Sequence, residues 1–216
     1  MTSPVALVSD AILWSASPEA RAGRPLLLAM HGRTGTERRL LAAAASFPEA
    51  YVVAHLRGPW AEERGWSWFA PDNPHGDPRP ADAEAAADAI LAWLATLPSV
   101  PLVGALGFSQ GGATALELLR RDPDRIRFAV NLGGYAARGE RRRDAELRER
   151  RPPVFWGRGG LDDVVKPDAI DRTTAWIDVH TTPTVRFYPR LRHTVSRREA
   201  ADAGIFLEAM LAARDE

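Results

Sequence analysis

The chain contains no cysteine, which excludes a disulfide framework, a thiolate metal site and a cysteine nucleophile. It has no surplus of either charge. Its 28 basic residues balance 28 acidic ones, so the overall field does not draw it to nucleic acid or to an anionic membrane. No stretch approaches the roughly 18 uninterrupted apolar residues of a membrane span. The opening MTSPVALVSD also lacks a basic leader followed by a long apolar region, and a cytoplasmic protein without stable membrane insertion is expected. Internal repeats and low-complexity tracts are missing. The arginine-rich stretch 138–151 has no interleaved aromatic residue for base stacking; it reads as a solvated helix with internal ion pairs, and no nucleic-acid partner is expected.

What is present is a globular composition of 216 residues, 45% hydrophobic and 26% charged. A chain of this length can bury one sizeable core, and a single domain over residues 1–216 is expected. Residues 5–7 and 11–14 read as a pair of edge strands. Residues 25–30 are continuously apolar, as in a strand buried on both faces, and they feed the loop that begins His31-Gly32-Arg33. Thr34 and Glu37 have capping-box spacing, which predicts a helix over 37–47. Further strands are predicted at 51–56, 102–108, 127–132, 153–156 and 184–188. Helical spacing appears over 81–97, after the elbow described below, after Pro167, and behind a second capping box at Ser196 and Glu199. The alternation predicts an α/β fold, a mostly parallel central sheet with helices on both faces.

Residues 57–80 are the least regular part of the chain. They hold Pro59, Pro71, Pro74, Pro78 and Pro80 together with Trp60, Trp66 and Trp68. A loop of this length inside a compact domain is more often functional than idle. Its aromatic residues suggest either a pocket wall or a cover for the core edge, and exposed aromatics over 60–69 leave a homodimer open.

The chemistry concentrates at Gly107-Phe108-Ser109-Gln110-Gly111. An apolar strand enters this G-x-S-x-G turn and a helix leaves it, the setting in which the pattern forms a nucleophile elbow. Catalysis by serine needs a general base, a carboxylate to orient that base and donors for the oxyanion. His193 follows the last predicted strand, whereas His31, His55 and His75 precede the serine and His180 precedes that strand. Asp162, Asp163 and Asp168 all follow the preceding strand, so the acid is open at this level. For the oxyanion, the main-chain N–H of Gln110 opens the helix after the elbow, and the main-chain N–H of Arg33 is the candidate second donor. His31 reads as a residue that structures the loop.

These parts, His31-Gly32, Arg64-Gly65-Trp66-Ser67-Trp68-Phe69, Gly107-Phe108-Ser109-Gln110-Gly111-Gly112, Asp162-Asp163-Val164-Val165 and His193, span nearly the whole chain. In their order the sequence resembles the α/β-hydrolase superfamily, and within it the small phospholipase/carboxylesterase group that includes acyl-protein thioesterases. The resemblance implies an α/β-hydrolase fold without a large cap domain. In that group the acid stands three residues before the second valine of a D-x-V-V segment, which selects Asp162. The chain departs from the group where Trp156-Gly157-Arg158-Gly159-Gly160-Leu161 replaces a shorter His-Gly segment, and where Arg192 replaces the glycine that often precedes the base.

The expectation is therefore a serine carboxylesterase with Ser109, His193 and Asp162 as its triad and Arg33 and Gln110 as amide donors. Trp66, Trp68, Phe69 and Tyr135 are expected to line the pocket. The substrate expected is a small-molecule carboxylic ester or thioester, with no metal and no organic cofactor. A non-catalytic small-molecule receptor on the same fold, and an amide or peptide hydrolase, remain open alternatives at this level.

Overall fold

The structure, a computed structural model, describes residues 6–213. In chain order the strands are β1 (Leu13–Trp14), β2 (Leu26–Met30), β3 (Val52–Leu56), β4 (Trp60–Ala61), β5 (Trp66–Ser67), β6 (Val103–Phe108), β7 (Ile126–Leu132), β8 (Pro153–Gly159) and β9 (Thr182–Tyr188). The helices are α1 (Leu41–Ala44), α2 (Pro80–Leu94), α3 (Gln110–Arg121), α4 (Asp144–Arg150), α5 (Pro167–His180) and α6 (Arg197–Ala212).

Seven strands form one sheet in the order β1-β3-β2-β6-β7-β8-β9. Only the β1–β3 pairing is antiparallel. β2 lies in the interior, with Leu28 paired to Ala54 on one side and to Ala105 on the other. All five of its residues are buried, which explains why the run is apolar without alternation. Its successive side chains nevertheless serve different cores. Leu26, Leu28 and Met30 pack with Ile90 of α2, Leu116 and Leu119 of α3 and Ile177 of α5. Leu27 and Ala29 pack on the other face with Ala43 of α1 and Ala203, Phe206 and Leu207 of α6. Helices thus cover both faces, as the alternation predicted.

The chain goes from β2 outward to β3 and later returns to lay β6 on the opposite side of β2. This reversal of direction is a topological switch point, where the carboxyl ends of adjacent parallel strands leave a crevice. The loops after Met30 and Phe108 both open into it.

Several local expectations differ. Val5 lies outside the described residues, and residues 9–11 form a 3-10 turn, so the predicted edge pair reduces to Leu13–Trp14. The helix expected over 37–47 shortens to α1. Thr34 has φ 58° and its hydroxyl donates to the Arg33 carbonyl at 2.7 Å, so it caps nothing, while the Glu37 carboxylate accepts from Arg57 at 2.7 and 2.8 Å. The irregular segment 57–80 contains the β4–β5 hairpin. Only residues 144–150 of the arginine-rich stretch are helical, and part of that stretch is buried.

Candidate active site

β6 carries the chain to Phe108, and Ser109 makes the turn with φ 55° and ψ −117° before α3 begins at Gln110. A non-glycine residue in this region is strained by about 1–3 kcal/mol and needs its surroundings to hold it. The Ser109 N–H donates to the Leu132 carbonyl of β7 at 2.8 Å, which provides one anchor. Close packing provides the rest: a Cβ on Gly107 would stand 2.1 Å from the Gly111 backbone, and one on Gly111 would stand 2.2 Å from the Met30 carbonyl oxygen. The glycines of the pentapeptide are therefore required by the approach of β2, β6 and α3.

His193 stands on the loop after β9 and Asp162 on the loop after β8. Asp162 Oδ1 accepts from the amides of Val164 at 2.9 Å and Val165 at 3.1 Å, leaving Oδ2 for the histidine. The His193 Nδ1 to Asp162 Oδ2 distance is 2.7 Å, and the His193 Nε2 to Ser109 Oγ distance is also 2.7 Å. An ionised carboxylate can only accept, so Nδ1 carries the proton and donates to Asp162, and Nε2 accepts from the serine hydroxyl. Burial opposes the charge on Asp162, but the bonds from His193 and the two valine amides outweigh it and hold the carboxyl below its ordinary range. The Phe108 ring lies 4.9 Å from the imidazole and flanks it.

The amides of Gln110 and Arg33 adjoin this row. Gln110 is the first residue of α3, where main-chain N–H groups lack intrahelical partners. Among the described residues neither the Arg33 nor the Gln110 amide has an acceptor. The side chains of both residues are committed elsewhere. Gln110 Oε1 accepts from the Trp68 amide at 2.8 Å, and Arg33 donates to Glu62 at 2.8 Å, to the Pro71 carbonyl at 2.7 Å and to His75 Nε2 at 3.0 Å. His31 fixes the loop from below. Its Nδ1 donates to the Gly32 carbonyl at 2.7 Å and its Nε2 accepts from the Gly58 amide at 2.9 Å. Burial pushes its pKa down to about 4, so it is a neutral strut.

Three of the four expected pocket residues are placed elsewhere. Trp68 and Phe69 are fully buried in the core; the Trp68 indole donates to the His31 carbonyl at 2.8 Å and so supports the loop from inside. Trp66 lies in the β4–β5 hairpin, with the Arg57 guanidinium 5.1 Å above its ring, and it lines neither hollow at Ser109. An indole N–H and a large apolar body are best satisfied where both can be enclosed, and here that is under the loop. Tyr135 does line a cavity at Ser109, beside Pro74, His75, Gly76 and Val165. The proline-rich segment supplies part of the wall, but through Pro74, His75 and Gly76 rather than through its tryptophans and Phe69. His75 is the polar side chain that the proline-rich segment contributes to it, and neither its exposed position nor its contact with Arg33 has a signature in the sequence.

The fold is that of the α/β-hydrolases, with Ser109 at the turn from β6 into α3 and no large cap among the described residues. Among solved structures, the chain is similar to an acyl-protein thioesterase 2 from Zea mays, at 18% identity and TM-score 0.75 over 93% of this chain and 98% of that one. It is similar to a carboxylesterase from Bacillus cereus, at 18% identity and TM-score 0.75 over 92% of this chain and 93% of that one. Esterase PE8 matches at 24% identity and TM-score 0.75 over 95% of this chain and 99% of that one. No protein-family model matches the chain, and no curated protein matches it.

Proposed function

We propose that the protein is a serine hydrolase that cleaves small carboxylic esters or thioesters. The observation that carries this reading is the unbroken row from Asp162 through His193 to Ser109, with 2.7 Å at each step, beside two amides without acceptors among the described residues. The Ser109 oxygen attacks the acyl carbonyl as His193 Nε2 takes its proton. The charge that develops on the carbonyl oxygen is met by the amides of Arg33 and Gln110, and Asp162 stabilises the imidazolium. His193 then returns the proton to the departing alcohol or thiol. Water repeats the sequence on the acyl-enzyme and frees the acid. The structural neighbours support the reading, since they include carboxylesterases and a thioesterase.

Hydrolysis of p-nitrophenyl acetate by the wild type and by Ser109→Ala tests it. The variant is expected to lose turnover by a factor on the order of 10⁴ or more. A wild type that turns over no ester, or a variant as active as the wild type, would overturn the assignment.

A further inference from the structure

Arg33 offers its main-chain N–H at the nucleophile, and its side chain is held by the β4–β5 hairpin. The argument from this contact rests on the hydrolase reading above.

The loop after β2 is pressed against the elbow. A Cβ on Gly32 would stand 2.9 Å from the Phe108 ring and 3.3 Å from the Ser109 Cβ, so the peptide that joins Gly32 to Arg33 lies beside the nucleophile. Arg33 borders both hollows at Ser109. The loop has little of its own to fix it there. No strand or helix spans residues 31–40, and Thr34 sits at φ 58°, a conformation that a side-chain-bearing residue keeps only when its surroundings impose it.

The hairpin imposes it from two sides. On the backbone side, the Trp66 amide donates to the Gly35 carbonyl at 2.8 Å, and Gly65, at φ 73°, lies so near that a Cβ on it would stand 2.3 Å from the Thr34 carbonyl oxygen. On the side-chain side, Arg33 Nε donates to Glu62 Oε1 at 2.8 Å and Nη2 donates to Glu62 Oε2 at 3.5 Å. The same guanidinium also reaches the Pro71 carbonyl at 2.7 Å and His75 Nε2 at 3.0 Å. Glu62 is in turn fixed within the hairpin. Its Oε1 accepts from the Ser67 hydroxyl as well, and its amide donates to the Gly65 carbonyl at 3.0 Å. The bond from Arg33, foremost, holds the Glu62 carboxyl below its ordinary range, so the pair is ionic at neutral pH. A carboxylate that faces a guanidinium with both oxygens restricts direction as well as distance.

An oxyanion donor is effective only where the charge forms, within a few tenths of an ångström of its working distance, and about 1 Å of misplacement can cost on the order of 10²-fold in rate. We propose that Glu62 is a positioning residue for catalysis, holding the Arg33 main-chain N–H at the oxyanion through the Arg33 side chain, with the β4–β5 hairpin as the fixed mount. Acylation and deacylation both pass through an oxyanion, so a displaced donor slows the two steps alike and lowers kcat while leaving KM in place. A purely structural contact would instead lower Tm and leave kcat per folded molecule unchanged.

The test compares wild type, Glu62→Ala, Glu62→Gln, Arg33→Ala and the Arg33→Ala/Glu62→Ala double variant on p-nitrophenyl acetate. kcat is taken per serine titrated to completion with a fluorophosphonate, so that unfolded protein does not count. Glu62→Ala is expected to lower kcat about 10- to 100-fold, with KM within about twofold of wild type, and Glu62→Gln, which keeps one acceptor for Nε, is expected to lose less. Arg33→Ala retains the main-chain N–H but loses the anchor, and is expected to match Glu62→Ala. The double variant is expected to lie within about twofold of the slower single variant, because both changes cut the same link. A trifluoromethyl ketone, whose adduct with Ser109 carries an oxyanion, is expected to bind more weakly by about the factor lost in kcat. A kcat for Glu62→Ala within about twofold of wild type would overturn the proposal, and so would a double variant whose loss is the product of the single losses. Lower kcat with unchanged affinity for the ketone would overturn it too, by placing the effect of Glu62 outside the oxyanion. If Glu62→Ala yields no titratable serine, Glu62→Gln and Arg33→Ala decide by the same criteria. A wild type that cleaves no ester would overturn the hydrolase reading and this proposal together.

Discussion

Two adjacent carboxylates follow β8, and the backbone decides between them. Asp162 is folded back so that one oxygen receives the amides of Val164 and Val165 and the other receives His193, whereas Asp163 is exposed and is not bonded to the imidazole. Replacing Asp162 by Asn keeps the shape but offers His193 an amide that can favour the wrong tautomer. Turnover of a short-chain aryl ester by Asp162→Asn is expected to drop by a factor on the order of 10³–10⁴, while Asp163→Asn stays within about twofold of the wild type, as for surface substitutions generally. The opposite ranking in kcat would show that the relay runs through Asp163. At this scale the bonded row was legible in part: strand ends place Ser109, His193 and three candidate carboxylates on neighbouring loops, and only the resemblance picked Asp162 from among them. The pocket wall was not legible. An aromatic side chain in a loop can face a ligand or the core equally well, and Trp68 went to the core because the His31 carbonyl there accepts its indole N–H.

At the scale of elements, the apolar runs of β2 and β6 announced themselves because these strands, buried on both faces, have no polar positions to blur the pattern. The arginine-rich segment was misleading for the converse reason: its burial depends on partners far away in sequence. Arg120 of α3 is 1% exposed and donates to Asp144 at 3.0 and 2.6 Å and to the carbonyls of Ala137 and Gly139. Arg141 donates to Glu117 of α3 at 2.6 Å, across 24 residues. Burial pushes the Glu117 carboxyl up, opposed by Arg120 and Arg141. The network ties the segment after β7 to α3, the helix that carries the elbow serine at its start. Removing one partner from a buried ion pair leaves the other uncompensated, so Arg120→Ala is expected to destabilise the fold by about 3–5 kcal/mol. Urea denaturation followed by circular dichroism measures this, and a midpoint unchanged from wild type would mean that the pair contributes nothing net.

For the whole molecule, two buried groups set opposite pH trends. His31 ionises at about 4 in the fold against 6.5 ordinarily. As pH falls from 6.5 toward 4 the unfolded chain gains a proton that the native state refuses, and stability is lost on the acid side. Glu199 behaves in the reverse sense. It is buried on α6 with Oε2 unpartnered among the described residues. Burial raises its pKa from 4.5 to about 7, the Ser196 amide lowers it, and Asp202 and Asp162 add like-charge repulsion. The native state keeps a proton that the unfolded chain sheds, so this contribution is full below pH 4.5 and is lost as pH rises to 7. Between 4.5 and 6.5 the two slopes oppose one another. Glu199→Gln removes one of them while keeping a neutral group of the same shape. At about 1.4 kcal/mol per pKa unit, the stability of the variant relative to wild type should climb by about 3 kcal/mol between pH 4.5 and 7.5, because contributions of independent sites cancel in the difference. Tm measured for both proteins across that interval checks it. A gap that stays constant with pH would show that Glu199 titrates alike in the folded and unfolded chains, which its burial against the Gly157 backbone argues against.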